Sequence, residues 1–165
     1  MLEATVKDFW SLYGAEETAL VIPTHATRSL SGAVVINARN EWMKEAQRRF
    51  PGFKSHLGQV LRKHGNVCAF FYDYTVLTFP IRREWYNPAD LELIQQSTAK
   101  LADITKMFPA LKFYIPKLTD EVLQRGQSHD AMRERISWEI VKPVLAQLSD
   151  QVFVMDEGEV HEELA

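Results

Sequence analysis

Cysteine is almost missing from this chain. Cys68 is the only one in 165 residues, so no intramolecular disulfide can form, and the composition suits a reducing cytosol. Long apolar runs are lacking as well. Ala33–Ile36 and Tyr74–Pro80 fall far short of the ~18 residues a membrane span needs, so no membrane association is expected. Acidic Glu3 and Asp8 interrupt the first stretch, which argues against a secretory leader and for a cytoplasmic location. Glycine is scarce, with seven in the chain, roughly 4% against a usual ~7%. No Gly-x-Gly-x-x-Gly run or Walker A sequence occurs, and no His or Cys pair has metal-ligand spacing. No metal or cofactor is therefore expected, and a dinucleotide dehydrogenase is excluded.

What remains is ordinary globular material: 46% apolar and 25% charged residues, without repeats or low-complexity linkers. These values predict a single domain over 1–155 and an acidic C-terminal tail over 156–165. Net charge is −3, but the tail holds five acids and no Lys or Arg, leaving the body at +2. Lys44, Arg48, Arg49, Lys54, Arg62 and Lys63 cluster with a single acid, Glu45. Such a stretch can attract phosphates, or can simply be a solvated helix face.

Strand-like and helix-like segments alternate. Residues 2–7 read as a short strand followed by an aromatic turn at Phe9 and Trp10. Ala19–Ile22 and Ala33–Ile36 read as buried strands. Asn40 caps a helix over 41–50, and a second helix over 54–64 stops at Gly65. Val67–Tyr72 and Thr75–Phe79 are strand-like. Asn87-Pro88 opens a helix with Pro88 at its first position and Leu91, Ile94, Leu101 and Ile104 on one face. A strand at Leu111–Ile115, a short helix at Thr119–Arg125, a helix over 130–148 and a strand at Gln151–Met155 complete the order. This alternation predicts an α/β sandwich with a largely parallel sheet. In such sheets ligands bind beyond the carboxyl ends of the strands, which directs attention to the segments after each one.

Thr24 and His25 follow one strand, and His25 could donate a hydrogen bond or activate water. The competing reading places it on the surface. Asn37, Arg39 and Asn40 stand before a helix start, where free amides favour an anion, although Asn40 also fits a plain N-cap. Arg82, Arg83 and Trp85 follow another strand and offer planar donors and a stacking surface. Cys68 beside His64 suggests a nucleophile–base pair, but its place within an apolar run makes it core material.

Lys44–Gly52, His56-Leu57-Gly58, His64-Gly65-Asn66, Thr78-Phe79-Pro80, Ala89–Ser97, Ile115-Pro116 and Ser137–Leu145 follow one another in an order that resembles the macrodomain family. The resemblance spans about residues 5–155 and is nearest the phage and bacterial ADP-ribose-1″-phosphate phosphatase-like proteins. It implies a three-layer α/β/α sandwich with a mixed, largely parallel sheet, whose cleft binds ADP-ribose, a related nucleotide or an ADP-ribosylated macromolecule. Asp8 matches the family aspartate that hydrogen-bonds the adenine amino group. His25 stands where the family has asparagine. The family's two glycine-rich loops are replaced by Ile36–Glu41 and by the segment after Pro116. Arg82 occupies the position of the family's lysine after Phe-Pro. An arginine stays protonated, so covalent lysine chemistry is not available there.

The expected ligand contacts are thus Asp8, Thr24, His25, Asn37, Arg39, Asn40, Arg82 and Trp85. The reading favours nucleotide binding over catalysis, for which His25 is the sole weak candidate. The alternative is a macrodomain relic that has lost its nucleotide and serves as a protein-interaction module. Nucleic-acid binding through the Lys44–His64 face has weaker support, because few aromatic residues interleave the charges.

Overall fold

The computed structural model describes residues 1–126 and 135–158. Six strands form one sheet: β1 (Leu2–Thr5), β2 (Thr18–Thr24), β3 (Phe70–Phe71), β4 (Val76–Pro80), β5 (Lys112–Pro116) and β6 (Val152–Asp156). Their spatial order is β1-β6-β5-β2-β4-β3, parallel throughout except for the antiparallel β3–β4 pair. Helices α1 (Glu41–Arg49) and α2 (Phe53–His64) pack together, as do α3 (Leu91–Met107) and α5 (Trp138–Leu145). A short α4 (Asp120–Gln124) follows β5. The result is a three-layer α/β/α sandwich.

All seven residues of β2 are buried, as expected of a central strand covered on both faces. Phe9, Phe53, Phe79 and Phe113 are fully enclosed and, with Leu20, Ile22 and Met43, anchor the core. Pro23 sits inside β2 without losing a rung of the ladder. Its carbonyl accepts from Asn40 Nδ2 at 3.0 Å, so its backbone turns away from β4. The β2–β5 pairing stops at Leu20↔Tyr114, whereas β2 continues beside β4 to Thr24↔Pro80. The strands therefore part at their carboxyl ends, and the N-terminus of α1 enters the gap.

Helix boundaries follow local chemistry. Asn40 Oδ1 accepts from Met43 N, Asp90 from Leu93 N, and Gly65 closes α2 at φ 80°. Several expectations need correction. Ala33–Ile36 is no strand; β2 already has both neighbours, and this run makes only a bridge between Arg28 and Val34. Pro88 lies ahead of α3, whose cap is Asp90. Val67–Tyr72 contracts to the two residues of β3. The helix expected over 130–148 begins at Trp138 and ends at Leu145, while 130–134 lie outside the described residues. The expected tail also starts too early. Asp156 completes β6, and Glu157 folds back to accept from Phe9 N at 3.4 Å. Residues 159–165 of that tail lie outside the described residues.

Candidate functional site

Three concavities adjoin one another along the carboxyl ends of the strands, forming a trough. The first, about 110 Å³, is walled by His25, Asn37, Arg39, Asn40, Arg82 and Trp85, with Tyr86 and Arg125. The second, about 700 Å³, lies between Glu41–Trp42 and Lys117–Glu121. The third, about 340 Å³, reaches Asp8, Trp10 and Arg49. Neighbouring concavities share Val122 and Arg125 at one junction, and Glu41, Trp42 and Glu157 at the other.

Six of the eight residues expected to contact a ligand thus surround one pocket. Asp8 stands at the far end of the trough. Thr24 does not line it; it is buried in the ladder opposite Pro80, and its carbonyl accepts from Ile81 N at 3.1 Å. Trp85 is 40% exposed and packs edge-on against Tyr86 with ring centroids 5.5 Å apart. Thr27 fixes the backbone below it. Its hydroxyl receives Trp85 N at 2.9 Å and donates to Glu84 at 2.5 Å.

His25 is not a surface residue: only 2% of it is exposed. Nδ1 accepts from Thr27 N at 3.2 Å, so the proton of the neutral ring sits on Nε2. Burial, reinforced by the positive charge of Arg82, lowers its pKa to about 4, against smaller upward pulls from Glu84 and the Val35 carbonyl. At neutral pH the ring is a neutral donor, a poor group for activating water.

Arg82 does not present a free fork. It is 6% exposed, and Nη1 donates to the carbonyls of Asn87 (2.9 Å) and Arg125 (3.1 Å), while Nη2 donates to that of Val122. It clamps the end of α4 against the segment after β4. Burial, then the nearby Arg125, brings its pKa down to about 10, leaving it charged at neutral pH. Arg125 is a participant that sequence reasoning missed, although it follows the strand-end segment after β5. It donates to the Arg39 carbonyl and so bridges the loop before α1 and the loop after α4. Asn37 Oδ1 shapes the first of these loops by accepting from Arg39 N at 2.8 Å. Glycine does survive at one point in the second. Gly126 has φ +84°, and a Cβ there would lie 2.1 Å from the Tyr86 carbonyl.

The trough is electrically polarised. Arg39, Arg82 and Arg125 gather at one end; at the other, Asp8, Glu41, Glu45 and Glu157 outnumber Arg48 and Arg49, both of which pair with Glu45. Burial raises the Glu157 pKa, and the charges of Glu41 and Asp8 push the same way. Asp8 caps the turn at Phe9–Leu12, accepting from Trp10 N at 3.2 Å through Oδ1. Among the described residues, three buried side-chain N–H groups lack a hydrogen-bond partner: Trp10 Nε1, Trp42 Nε1 and His25 Nε2. All three belong to residues that wall the trough. Two of the three have an acceptor close by that falls short of hydrogen-bond geometry: the Glu157 carboxylate beside Trp42 Nε1 and the Val35 carbonyl beside the His25 ring. Orphaned buried donors are rare, and their concentration on residues of one trough makes it the candidate functional region. Cys68, in contrast, is buried away from the trough with its pKa pushed up to about 12 by burial, which suits the core role.

No protein-family model matches the chain, and no curated protein is significantly similar in sequence. Solved structures are similar in shape. The macrodomain of Mycobacterium tuberculosis DarG superposes with a TM-score of 0.65 at 16% identity, covering 96% of this chain and 99% of that one. The macrodomain of Thermus aquaticus DarG gives 0.62 at 15% identity, with 96% and 99% covered. Thermosipho africanus DarTG, solved in complex with ADP-ribose, gives 0.59 at 15%, covering 94% of this chain and 41% of that one. The fold is that of a macrodomain.

Proposed function

We propose that this chain, a divergent macrodomain, binds ADP-ribose or a related phosphorylated nucleotide in the trough, as a free ligand or as a group on an ADP-ribosylated macromolecule. The observation that carries the reading is that the three buried N–H groups without a partner, on Trp10, Trp42 and His25, all belong to residues that wall the trough. Polarity orients the ligand. The adenine amino group donates to Asp8, and the acidic end keeps phosphate away from it. Phosphate meets Arg39 and Arg125 at the other end, in place of the amides a glycine-rich loop would offer. The terminal sugar stacks near Trp85, and His25 Nε2–H is a candidate donor to its hydroxyls.

Binding without turnover is the favoured outcome. His25 is protonated on the nitrogen not already engaged by Thr27, and Arg82 holds carbonyls rather than a nucleophile's place. Calorimetric titration with ADP-ribose, ADP-ribose-1″-phosphate, AMP and ribose-5-phosphate tests the reading. ADP-ribose should bind with a Kd in the micromolar range. The absence of heat at ~1 mM ligand with folded protein would sink it. Phosphate release from ADP-ribose-1″-phosphate would place the chain with the phosphatase-like branch and overturn the non-catalytic part.

One observation favours a second reading, a relic that serves as a protein-interaction module. Arg125 ties the two loops together at the place where a diphosphate would pass. The same titration separates the two readings, because the relic gives no heat with any nucleotide.

A further inference from the structure

The sheet ends at β3, on the side away from Asp8, in a segment with no charged residue: Val67-Cys68-Ala69-Phe70-Phe71-Tyr72. The outer N–H and C=O groups of an edge strand invite another strand; β3 limits that invitation by its two-residue length, but the segment has none of the other usual protections, charge, proline or a bulge. Here a groove of about 790 Å³ runs along that edge, floored by Cys68, Phe70, Ile104 and Phe108 and open between α2 and α3. Residues of both parities, Cys68 and Phe70 as well as Val67 and Ala69, touch the same groove.

The backbone of this edge is free. Ala69 O accepts from Thr78 N at 2.9 Å and Ala69 N donates to Thr78 Oγ1 at 3.0 Å, so Ala69 faces β4. Phe70 is the non-hydrogen-bonded partner of Leu77, so its N–H and C=O point outward into the groove, and carrying the same alternation one step past β3 turns those of Cys68 the same way. The lining carries His64 and Lys100 and no acid; Asp73 and Asp103, the nearest acids in sequence, lie outside it. Lys100 makes no ion pair among the described residues. A second copy of the chain added edge to edge would bring its own Lys100 to a lining that already carries one and holds no acid, which disfavours that occupant.

We propose that the β3 edge and its groove accept an extended polypeptide segment of alternating apolar and acidic side chains, added as a further strand. Main-chain bonds to Cys68 and Phe70 supply pairing, apolar side chains fill the groove over Phe70 and Phe108, and acidic ones meet Lys100 and His64.

The test is a titration of isotope-labelled full chain with an acetylated octapeptide alternating Glu with Val and Ile, and with its Lys counterpart. The acidic peptide should shift the Cys68 and Phe70 amides and slow their hydrogen exchange, and the basic one should bind at least tenfold more weakly. Lys100→Glu, at an exposed position, should reverse that preference, and Val67→Lys should weaken both. No binding at ~1 mM, binding that leaves both amides exchanging freely, or indifference to peptide charge would each overturn the proposal. So would a concentration-dependent dimer held through this edge. ADP-ribose titration should be unchanged by Lys100→Glu, which separates this surface from the trough.

Discussion

Asn40 donates from Nδ2 to the carbonyl of Pro23 across 3.0 Å while its Oδ1 receives Met43 N. One side chain therefore caps α1 and ties it to the central strand at the point where β2 and β5 part. Asn40→Ala removes the cap and leaves the Pro23 carbonyl unsatisfied, so unfolding in urea should show a loss of about 2–3 kcal/mol. Asn40→Asp keeps the cap but sets a carboxylate against a carbonyl, and should recover less than half of that.

His25 makes stability depend on pH. Its folded pKa of about 4 lies below the ordinary 6.5, so the unfolded chain binds more protons between those values. Its contribution is present above pH ~6.5 and is lost as pH falls toward 4, by at most about 3 kcal/mol. Chemical denaturation at several pH values should show this slope in the wild type and a shallower one in His25→Gln.

Arg82→Lys should destabilise the fold by about 2–4 kcal/mol, since an ammonium cannot reproduce the planar fork toward Asn87, Arg125 and Val122. A lower melting temperature without any gain of hydrolytic turnover is the expected result.

Asp8 and Arg39 should separate by ligand. Asp8→Ala should weaken ADP-ribose and AMP roughly tenfold or more and leave ribose-5-phosphate unchanged. Arg39→Ala should weaken all ligands that carry phosphate, and more so at low salt. An equal loss for ribose-5-phosphate in Asp8→Ala would reverse the proposed orientation.

Gly126→Ala forces a side chain into a left-handed backbone at φ +84°, with its Cβ 2.1 Å from the Tyr86 carbonyl. A loss of about 2 kcal/mol or more is expected, together with shifted amide resonances around Tyr86 and Arg125.

Helix signals were readable because they are local. Asn40, Gly65 and the apolar face of Ile94, Leu101 and Ile104 mark the helices within a few residues of sequence. Strand signals were less secure. Ala33–Ile36 has strand composition, yet β2, the strand it follows, already has a neighbour on each side. The strand-end rule brought His25, Asn37, Arg39, Asn40, Arg82 and Trp85 to one pocket, but was silent on their atoms. That Arg82 is a clamp and His25 a buried neutral donor depends on partners as far away as Val122 and on burial from several elements.

The sequence by itself determined the alternation of strands and helices, the caps, the reduced cysteine and the absence of glycine from the stretch Ile36–Glu41. Those follow from propensity and local hydrogen bonding, which act over a few residues. Tertiary structure alone decided the polarised trough, the Arg125 bridge between its loops and the groove along the β3 edge. Each depends on residues distant in sequence being brought together, and on which backbone groups the sheet leaves unpaired.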